Sequence, residues 1–295
     1  MINIFSTHLS YIKIKSKGLG INILRSLLLL FPNYACSSDE IDYSVEIDYP
    51  VEYEYVYTYD VQTIAHRGYW NCEGSAQNSV TALRYAADLG IYGSEFDVRM
   101  TNDGVMVVNH DAEIDGKTIR DCEYEELENL ELSNGECLPT LYDFLSAARE
   151  LPDIVLVLEL KSSGSAYVEK EVEVILNLVA EMNLQERVQY ISFSLGACER
   201  IAQLSPTSDV AYLGGDIQPV DLIEKGINGI SYEYVVLKNS PEWIEEAHEL
   251  GMSVCAWVVN NEDDMKLLLD LGIDYITTDN PLTAMEIYGH VTILP

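Results

Sequence analysis

The sequence predicts an α/β protein built as a (β/α)8 TIM barrel with a small insertion after the second strand. From residue 61 onward, short apolar runs alternate with segments of helical periodicity, which is typical of repeated βα units around a parallel sheet. Eight such apolar runs follow one another. A barrel of this kind takes about 250 residues, so the 295 residues of the chain accommodate one.

The apolar runs predict strands at 62–65, 93–98, 154–160, 188–193, 209–213, 228–232, 252–258 and 273–277. Helical patterns lie between them, at 78–89, 140–149, 167–182, 195–204, 218–225, 241–250, 262–270 and 281–287. The third strand begins with a nearly continuous apolar run, as expected when one face meets the barrel interior and the other meets helices. An open, doubly wound sheet is the alternative architecture, because a count of strands does not prove closure.

A long insertion separates the second and third predicted strands. It spans residues 99–139 and contains an extra strand-like run at 105–109.

The charge balance argues against one class of partner. Forty-nine Asp and Glu against seventeen Lys and Arg give a net charge of −32, and such a field repels polyanions. We therefore expect no nucleic-acid partner. The same acidity also serves simply to keep the surface soluble.

The amino-terminal region has the order of an export signal. Basic residues at 13, 15, 17 and 25 precede an apolar run at 26–31, which is followed by Ala35 and Cys36. That run is far shorter than the ~20 residues that span a bilayer. Residues 33–36 resemble a bacterial lipoprotein processing site, although Asn33 stands where that pattern prefers an apolar residue. Another export signal and an untargeted extension are the alternatives.

These patterns divide the chain into three parts: an export segment at 1–36, an acidic, tyrosine-rich tether at 37–60, and the barrel at 61–290. We expect an exported protein, periplasmic or at the cell surface, that contacts the membrane only through lipid on Cys36. The chain has six cysteines and no Cys-x-x-Cys pair, which argues against a thiolate zinc site and favours free thiols.

Three carboxylates stand at predicted strand ends. Glu95 and Asp97 are two residues apart on the second strand, so their side chains point to the same face. Glu159 ends the third strand in a matching place. Functional groups of such barrels sit at the carboxyl ends of the strands. The trio suits a hard divalent cation such as Ca²⁺ or Mg²⁺, although strand-end acids also commonly pair with Lys or Arg.

Histidines and cations accompany these acids. His66 and Arg67 follow the first strand, His110 closes the extra strand of the insertion, and Lys161 follows Glu159. Imidazole titrates near neutral pH and suits acid–base work, whereas Arg and Lys donate to phosphate oxygens. A lone histidine at a strand end is more often a packed or solvated residue than a catalyst. The combination of acids, histidines and cations favours a catalytic site.

Ordered motifs resemble the glycerophosphodiester phosphodiesterase family over roughly residues 61–287. The motifs are Ala-His-Arg-Gly at 65–68, Gln-Asn-Ser at 77–79, Gly-Ser-Glu-Phe-Asp-Val at 93–98, Thr-Asn-Asp-Gly at 101–104, Val-Val-Asn-His-Asp at 107–111, Leu-Pro-Thr-Leu at 138–141, Glu-Leu-Lys at 159–161, Trp-Val-Val-Asn at 257–260 and Thr-Thr-Asp-Asn-Pro at 277–281. Each motif is weak alone, but their number and order make the resemblance specific.

The resemblance implies a barrel with one divalent ion held by Glu95, Asp97 and Glu159. It also implies acid–base catalysis by His66 and His110. Phosphate contacts from Arg67 and Lys161 are implied as well, with Asn78 near the metal.

One position departs from the family pattern. Gln77 stands where the family usually has Glu, and Gln keeps hydrogen-bonding capacity but removes a negative charge. We therefore leave Gln77 out of the metal ligands. Trp257 and Phe193, with Tyr69 and Trp70, are candidates for an apolar wall beside the substrate's glycerol, although Trp257 and Phe193 equally suit barrel packing.

The implied reaction is metal-dependent hydrolysis of glycerophosphodiesters to sn-glycerol 3-phosphate and an alcohol. His66 removes a proton from the attacking hydroxyl or water, and His110 protonates the leaving oxygen, although the two roles are interchangeable. Two other functions stay open: a related phospholipase-type phosphodiesterase or lyase acting on lysophospholipid, and a non-catalytic cell-envelope protein that binds phosphodiesters. The lipid-directed enzyme requires a broad apolar entrance.

Overall fold

The computed structural model describes residues 61–288, and a closed parallel barrel forms its centre. The strands in this part of the chain are β1 (Gln62–Ala65), β2 (Gly93–Met100), β3 (Met106–Val108), β4 (Glu113–Ile114), β5 (Lys117–Thr118), β6 (Val155–Leu160), β7 (Val188–Ser192), β8 (Asp209–Tyr212), β9 (Gly229–Glu233), β10 (Ser253–Trp257) and β11 (Tyr275–Thr278). All except β3, β4 and β5 belong to the barrel. Because β1 pairs in parallel with both β2 and β11, the sheet closes and the open-sheet alternative is excluded.

Helices follow the barrel strands and cover their outer face. They are α1 (Val80–Asp88), α2 (Leu141–Ala148), α3 (Val168–Glu181), α4 (Leu195–Leu204), α5 (Pro219–Ile223), α6 (Tyr234–Asn239), α7 (Glu242–Glu249), α8 (Glu262–Leu271) and α9 (Pro281–Tyr288). The prediction of alternating strands and helices is confirmed. Helix α6 was not predicted, because its six residues are too few to show a helical period and no side chain caps its start.

The alternation of side chains along each strand divides the apolar residues between two cores. One set points into the barrel and includes Ile64, Val157 and Ile191. The neighbouring positions point outward, where Phe96 and Leu158 join the larger core beneath the helices. Polar residues at the carboxyl ends of β1, β2 and β6 therefore lie above this apolar interior.

The insertion after β2 has a small core of its own. Strand β3 pairs antiparallel with β2, and β4 and β5 form a short hairpin. Four buried side chains make up this core: Val107, Ile119, Leu127 and Leu138. The extra strand predicted at 105–109 is thus present as β3, and it carries the chain to His110.

Several predictions lie outside the described residues. They are the export segment at 1–36 with Cys36, the tether at 37–60 and the end of the barrel at residue 290, and all of these stay predictions. Within residues 61–288, no helix is long and apolar enough to cross a membrane. The five cysteines in this range are free thiols.

Candidate active site

Three buried carboxylates meet at the carboxyl end of β2 and β6. Glu95, Asp97 and Glu159 are 2%, 1% and 7% exposed. Asp97 lies directly across the β2–β6 pairing from Glu159, and one oxygen of each of the three groups lies within 4.8 Å of the others. The structure thus brings together the three acids that the sequence singled out.

The environment of Glu95 fits a bound cation. Its Oε2 accepts the backbone N–H of Arg67 at 2.8 Å, whereas its buried Oε1 has no hydrogen-bond partner. An unpartnered carboxylate oxygen in a buried site costs free energy, and a metal ion offsets that cost. Because the three residues that could hold the ion all offer carboxylate oxygens, they suit a hard divalent ion.

Burial and mutual repulsion separate the pKa values of the three acids. Burial, followed by the charges of Asp97 and Glu159, holds the pKa of Glu95 well above its usual range. Burial also raises the pKa of Glu159. Burial opposes ionisation of Asp97 too, but Lys161 and the Asn78 amide outweigh it and lower the pKa of Asp97. Asp97 is therefore the most readily ionised of the three acids.

Lys161 and Arg67 supply positive charge beside the acids. The Lys161 Nζ lies 2.6 Å from Glu159 Oε1 and 3.1 Å from Asp97 Oδ1. Arg67 Nε lies 3.6 Å from Asp97 Oδ2. Burial works against the charged form of Lys161, but Asp97 and Glu159 outweigh it and raise the pKa of Lys161. Both cations line the cavity described below, where a phosphate can reach them.

Gln77 contacts Arg67 rather than the carboxylates. Arg67 Nη1 donates to Gln77 Oε1 at 2.6 Å, so the neutral amide orients the guanidinium. This contact agrees with leaving Gln77 out of the metal ligands.

The loop after β1 is built around unusual backbone conformations. Arg67 and Asn78 both have positive φ values, 55° and 61°, and the Asn78 N–H donates to the Arg67 carbonyl at 3.0 Å. Gly68 also has a positive φ, and a Cβ there would lie 2.6 Å from the Ala82 Cβ. This strained turn lets the Arg67 amide reach Glu95.

The side chain of Asn78 makes hydrogen bonds to both the carboxylate and the backbone of Asp97. Its Nδ2 donates to Asp97 Oδ2 at 2.8 Å, and its Oδ1 accepts the Asp97 backbone N–H at 3.0 Å. Asn78 is therefore close to the acids, as expected, and it orients one of them through a paired hydrogen bond.

His66 is oriented by an aspartate at the end of β11. His66 Nδ1 lies 2.8 Å from Asp279 Oδ1, which also accepts the Trp70 indole N–H at 3.0 Å. Asn260 Nδ2 donates to the other oxygen of Asp279 at 2.7 Å. Burial opposes ionisation of Asp279, but the hydrogen bond from His66 and those from Asn260 and Trp70 outweigh it and lower its pKa. A charged Asp279 leaves the Nε2 of His66 for proton transfer.

His110 approaches the acids from the insertion. Its Nδ1 lies 2.8 Å from Asp111 Oδ1, and its backbone carbonyl accepts from Arg99 Nε at 2.8 Å. Burial lowers the pKa of His110, although Asp111 and Asp97 oppose the effect. The shift favours the neutral imidazole.

A cavity of about 170 Å³ joins these groups. Both histidines line it, together with Arg67, Lys161 and an apolar side that includes Phe193 and Trp257. The two rings pack edge to face at 5.5 Å, and the Trp257 indole donates to the Ser231 carbonyl at 2.7 Å.

The apolar wall is smaller than expected. Tyr69 packs against the outer core instead of the cavity, and Trp70 donates to Asp279. The expectation that these two residues form the wall is therefore wrong, because the turn at Gly68 directs the chain towards α1, where the Tyr69 N–H bonds to the Ala82 carbonyl.

A larger, polar cavity of about 410 Å³ lies at the opposite end of the barrel. It is lined by residues at the amino ends of β6, β7 and β8, including Arg187 and Asp209. None of the acid–base groups described above reaches it. The chemistry of the molecule is at the carboxyl ends of the strands, where barrels carry their active sites.

Sequence reasoning missed three residues of the site. Asp279 and Asn260 lay in motifs quoted for the family but received no role. Asp279 contacts His66 across 213 residues of sequence, and Asn260 reaches it only through Asp279, so neither leaves a local pattern. Arg99 had a readable signal: it continues the alternation of Glu95 and Asp97 along β2, and therefore points to the same side of the strand.

Two histidines and two cationic side chains beside a cluster of buried carboxylates, at the carboxyl ends of barrel strands, are typical of a barrel enzyme that acts on a small anionic substrate. The sequence model of the "Glycerophosphoryl diester phosphodiesterase family" matches residues 66–283. The chain belongs to this family, as its ordered motifs predicted, and is a phosphodiesterase.

Relatives and solved structures agree with this assignment. A glycerophosphodiester phosphodiesterase structure from Parabacteroides distasonis is 44% identical with a TM-score of 0.77, and the match covers 78% of this chain and 97% of that one. Two glycerophosphodiester phosphodiesterases, from Caldanaerobacter subterraneus subsp. tengcongensis and Bacillus altitudinis, are 28% and 29% identical, and each match covers 76% of this chain and 96% of the relative.

Proposed function

We propose that this enzyme hydrolyses glycerophosphodiesters to sn-glycerol 3-phosphate and an alcohol, with one divalent ion and two acid–base histidines. The observation that carries the proposal is the cluster of three buried acids with an unpartnered Glu95 oxygen, beside a cavity that both His66 and His110 line. Family membership supports the same chemistry.

Glu95, Asp97 and Glu159 would hold the ion, which we propose to be Ca²⁺ or Mg²⁺ because all three ligands are carboxylates. When bound, a divalent ion supplies positive charge that polarises a phosphoryl oxygen and offsets the repulsion between phosphate and carboxylates. The barrel strands fix the positions of the three acids, so little rearrangement is needed on binding.

His66 acts as the general base in this proposal. Asp279 engages its Nδ1, so Nε2 accepts the proton of the attacking hydroxyl or water. His110 donates a proton to the leaving oxygen, and the phosphate anion beside it favours the protonated form. The two roles are interchangeable on geometry alone, since both rings line the same cavity.

Arg67 and Lys161 bind the phosphate oxygens. Arg67 is prepared for this task by the neutral Gln77 amide, which orients the guanidinium without cancelling its charge. Lys161 follows β6 and already contacts two acids, so it shares its charge between them and the substrate.

The size of the cavity supports a small, soluble substrate. Its volume of about 170 Å³ suits a glycerol unit with its phosphate rather than an acyl chain. Phe193, at 50% exposure, is the one largely exposed apolar side chain among the described residues that line it. A lipid-directed enzyme requires a broader apolar entrance than this.

The reaction is tested with glycerophosphoethanolamine, glycerophosphocholine and lysophospholipid as substrates. Release of glycerol 3-phosphate reports cleavage of the first two, and release of the free alcohol reports cleavage of lysophospholipid, whose glycerol phosphate keeps its acyl chain. We expect turnover of the first two, loss of turnover with a chelator, and recovery on addition of Ca²⁺ or Mg²⁺. Full activity in metal-free buffer would refute the metal-dependent mechanism. The matched variants are His66→Ala, which should be inactive, and His248→Ala, which changes an exposed histidine outside the cavity.

We also propose that Cys36 is lipidated and that the barrel at 61–290 is held outside the cytoplasm by the tether at 37–60. The order of basic, apolar and small residues before Cys36 supports this proposal. Stable anchoring requires more than one acyl chain, because a single chain binds membranes only marginally. Cys36→Ser should release the protein from membranes without changing its specific activity. Continued fractionation of this variant with membranes would contradict the anchor.

A further inference from the structure

An open groove of about 330 Å³ adjoins the active-site cavity. Glu159, Lys161 and Phe193 line both spaces, so the two spaces adjoin at these residues. Beyond it, the groove runs between the loops that follow β6 and β7, and Arg99 lines its far side. A substrate that places its phosphate beside Lys161 can therefore extend into the groove.

Arg99 is the residue in this groove whose side chain has hydrogen-bond donors without a partner among residues 61–288. Its Nε donates to the His110 carbonyl, but its two terminal nitrogens have no hydrogen-bond partner among residues 61–288. No carboxylate of those residues lies within 4.0 Å of its guanidinium, unlike Lys161, which contacts Asp97 and Glu159. Arg99 is half-buried, so its charge is partly shielded from water.

The other polar side chains of the groove have partners. Ser162 Oγ donates to Glu171 at 2.8 Å, and Ser194 Oγ accepts the Ala197 N–H at the start of α4. Ser192 Oγ donates to the Leu160 carbonyl at 2.7 Å. These contacts fix the walls and leave the guanidinium as the main recognition group.

The groove lies on the side from which the alcohol departs. This step rests on the proposed function, in which His110 protonates the leaving oxygen. Because Arg99 donates to the His110 carbonyl, its guanidinium lies close to the residue that would protonate the departing alcohol. The glycerol then occupies the cavity lined by His66 and Trp257.

We propose that the groove binds the alcohol half of the substrate and that Arg99 recognises a carboxylate on it. A guanidinium offers paired N–H donors that match the two oxygens of a carboxylate, and it has no acceptor for an ammonium group. The preferred substrates are thus glycerophosphodiesters whose alcohol carries a carboxylate.

Two substrates isolate this contact. Glycerophosphoserine and glycerophosphoethanolamine differ by one carboxylate and share the glycerol, phosphate and amine. We expect kcat/KM to be at least about tenfold higher for glycerophosphoserine, the range of a charge-assisted pair. In Arg99→Gln this ratio should fall to about one. The Gln Nε2 stands at the same number of bonds from Cα as the Arg Nε, so it retains a donor for His110.

Arg84→Gln is the matched control, because Arg84 lies on the outer helix α1 and pairs with Glu150. It should keep the parent ratio. A parent ratio near one, or an unchanged ratio in Arg99→Gln, would overturn the carboxylate site. An equal loss on both substrates in Arg99→Gln would overturn it too, and would restrict Arg99 to holding His110. Turnover of either substrate by the parent tests the proposed function separately, since only the ratio reports on the groove.

Discussion

Replacing Asp279 with Asn tests whether this aspartate positions His66. Asp279 Oδ1 accepts from His66 and Trp70, while Oδ2 accepts from Asn260. Asn260 cannot turn its amide round, because its Oδ1 already accepts from the Asp279 N–H and from Thr278 Oγ1. An asparagine at position 279 would therefore keep its side-chain oxygen towards His66 and Trp70. Its NH₂ group would then face the NH₂ group of Asn260, so the hydrogen bond between these two side chains is lost.

The variant retains the histidine tautomer but loses the negative charge beside it. A hydrogen bond to a charged group is worth about 1.5–3 kcal/mol, and each 1.4 kcal/mol is about tenfold in rate. We expect kcat to fall by roughly 10- to 100-fold in Asp279→Asn. KM should change little, because Asp279 acts through His66 and does not line the cavity.

Steady-state kinetics on glycerophosphoethanolamine measures kcat and KM separately. A double-mutant cycle then tests whether the fall in kcat arises through His66. His66→Ala with Asp279→Asn should be no slower than His66→Ala alone, since the aspartate has no other catalytic partner. Trp70→Phe removes another donor to the same oxygen and should cost much less. Additive losses in the double variant, or a rise in KM alone, would refute the positioning role.

Asp279 also predicts a dependence of stability on pH. The pKa of this carboxyl is lowered in the folded protein, so its stabilisation is present above the unfolded-state value of about 3.9 and is lost as the pH falls further. The difference in unfolding free energy between the parent and Asp279→Asn should therefore shrink below about pH 4. Urea unfolding at pH 7 and pH 3.5 measures it, and a difference that grows in acid would contradict the assignment.

Three further predictions concern the cluster, the insertion and the turn after β1. Glu95→Gln should weaken Ca²⁺ or Mg²⁺ binding in calorimetric titrations more than Gln77→Ala does, since only the first removes a ligand charge; equal titrations would contradict the ligand set. His110→Ala should slow turnover by at least ~10²-fold with unchanged circular dichroism, and near-parental turnover would require another acid–base group. Gly68→Ala should destabilise the fold by about 2–4 kcal/mol in urea unfolding, because the added Cβ would meet Ala82 of α1. Gly90→Ala is the control: Gly90 also has a positive φ but open space around it, so the variant should cost only about 1 kcal/mol. Equal losses in the two variants would mean that the close contact at residue 68 is relieved.

The alternation of strands and helices made the barrel predictable, but closure was not a local property. Each predicted strand overlaps an observed one, because apolar period and turn residues are encoded within a few positions. The pairing of β1 with β11 joins segments more than 200 residues apart, and only family resemblance or the structure reveals it.

The residues of the site also differ in how far the local sequence predicts their positions. Glu95 and Asp97 were readable as a pair because two residues on one strand share a face. The hydrogen bonds that orient His66 were not readable, because Asp279 and Asn260 follow β11 and β10, far along the chain from His66. Tyr69 and Trp70 misled the prediction, since aromatic character does not show which way a strained turn sends a side chain.

The separate core of the insertion gives the two histidines different attachments. His66 extends directly from a barrel strand, whereas His110 follows β3, beside the small core of Val107, Ile119 and Leu127. A segment with few buried residues opens more easily than the barrel that carries it. Brief local opening would withdraw His110 and leave the three carboxylates assembled on the barrel strands. Hydrogen exchange in residues 106–127 should then be faster than in the barrel strands, and inactivation by heat should precede global unfolding.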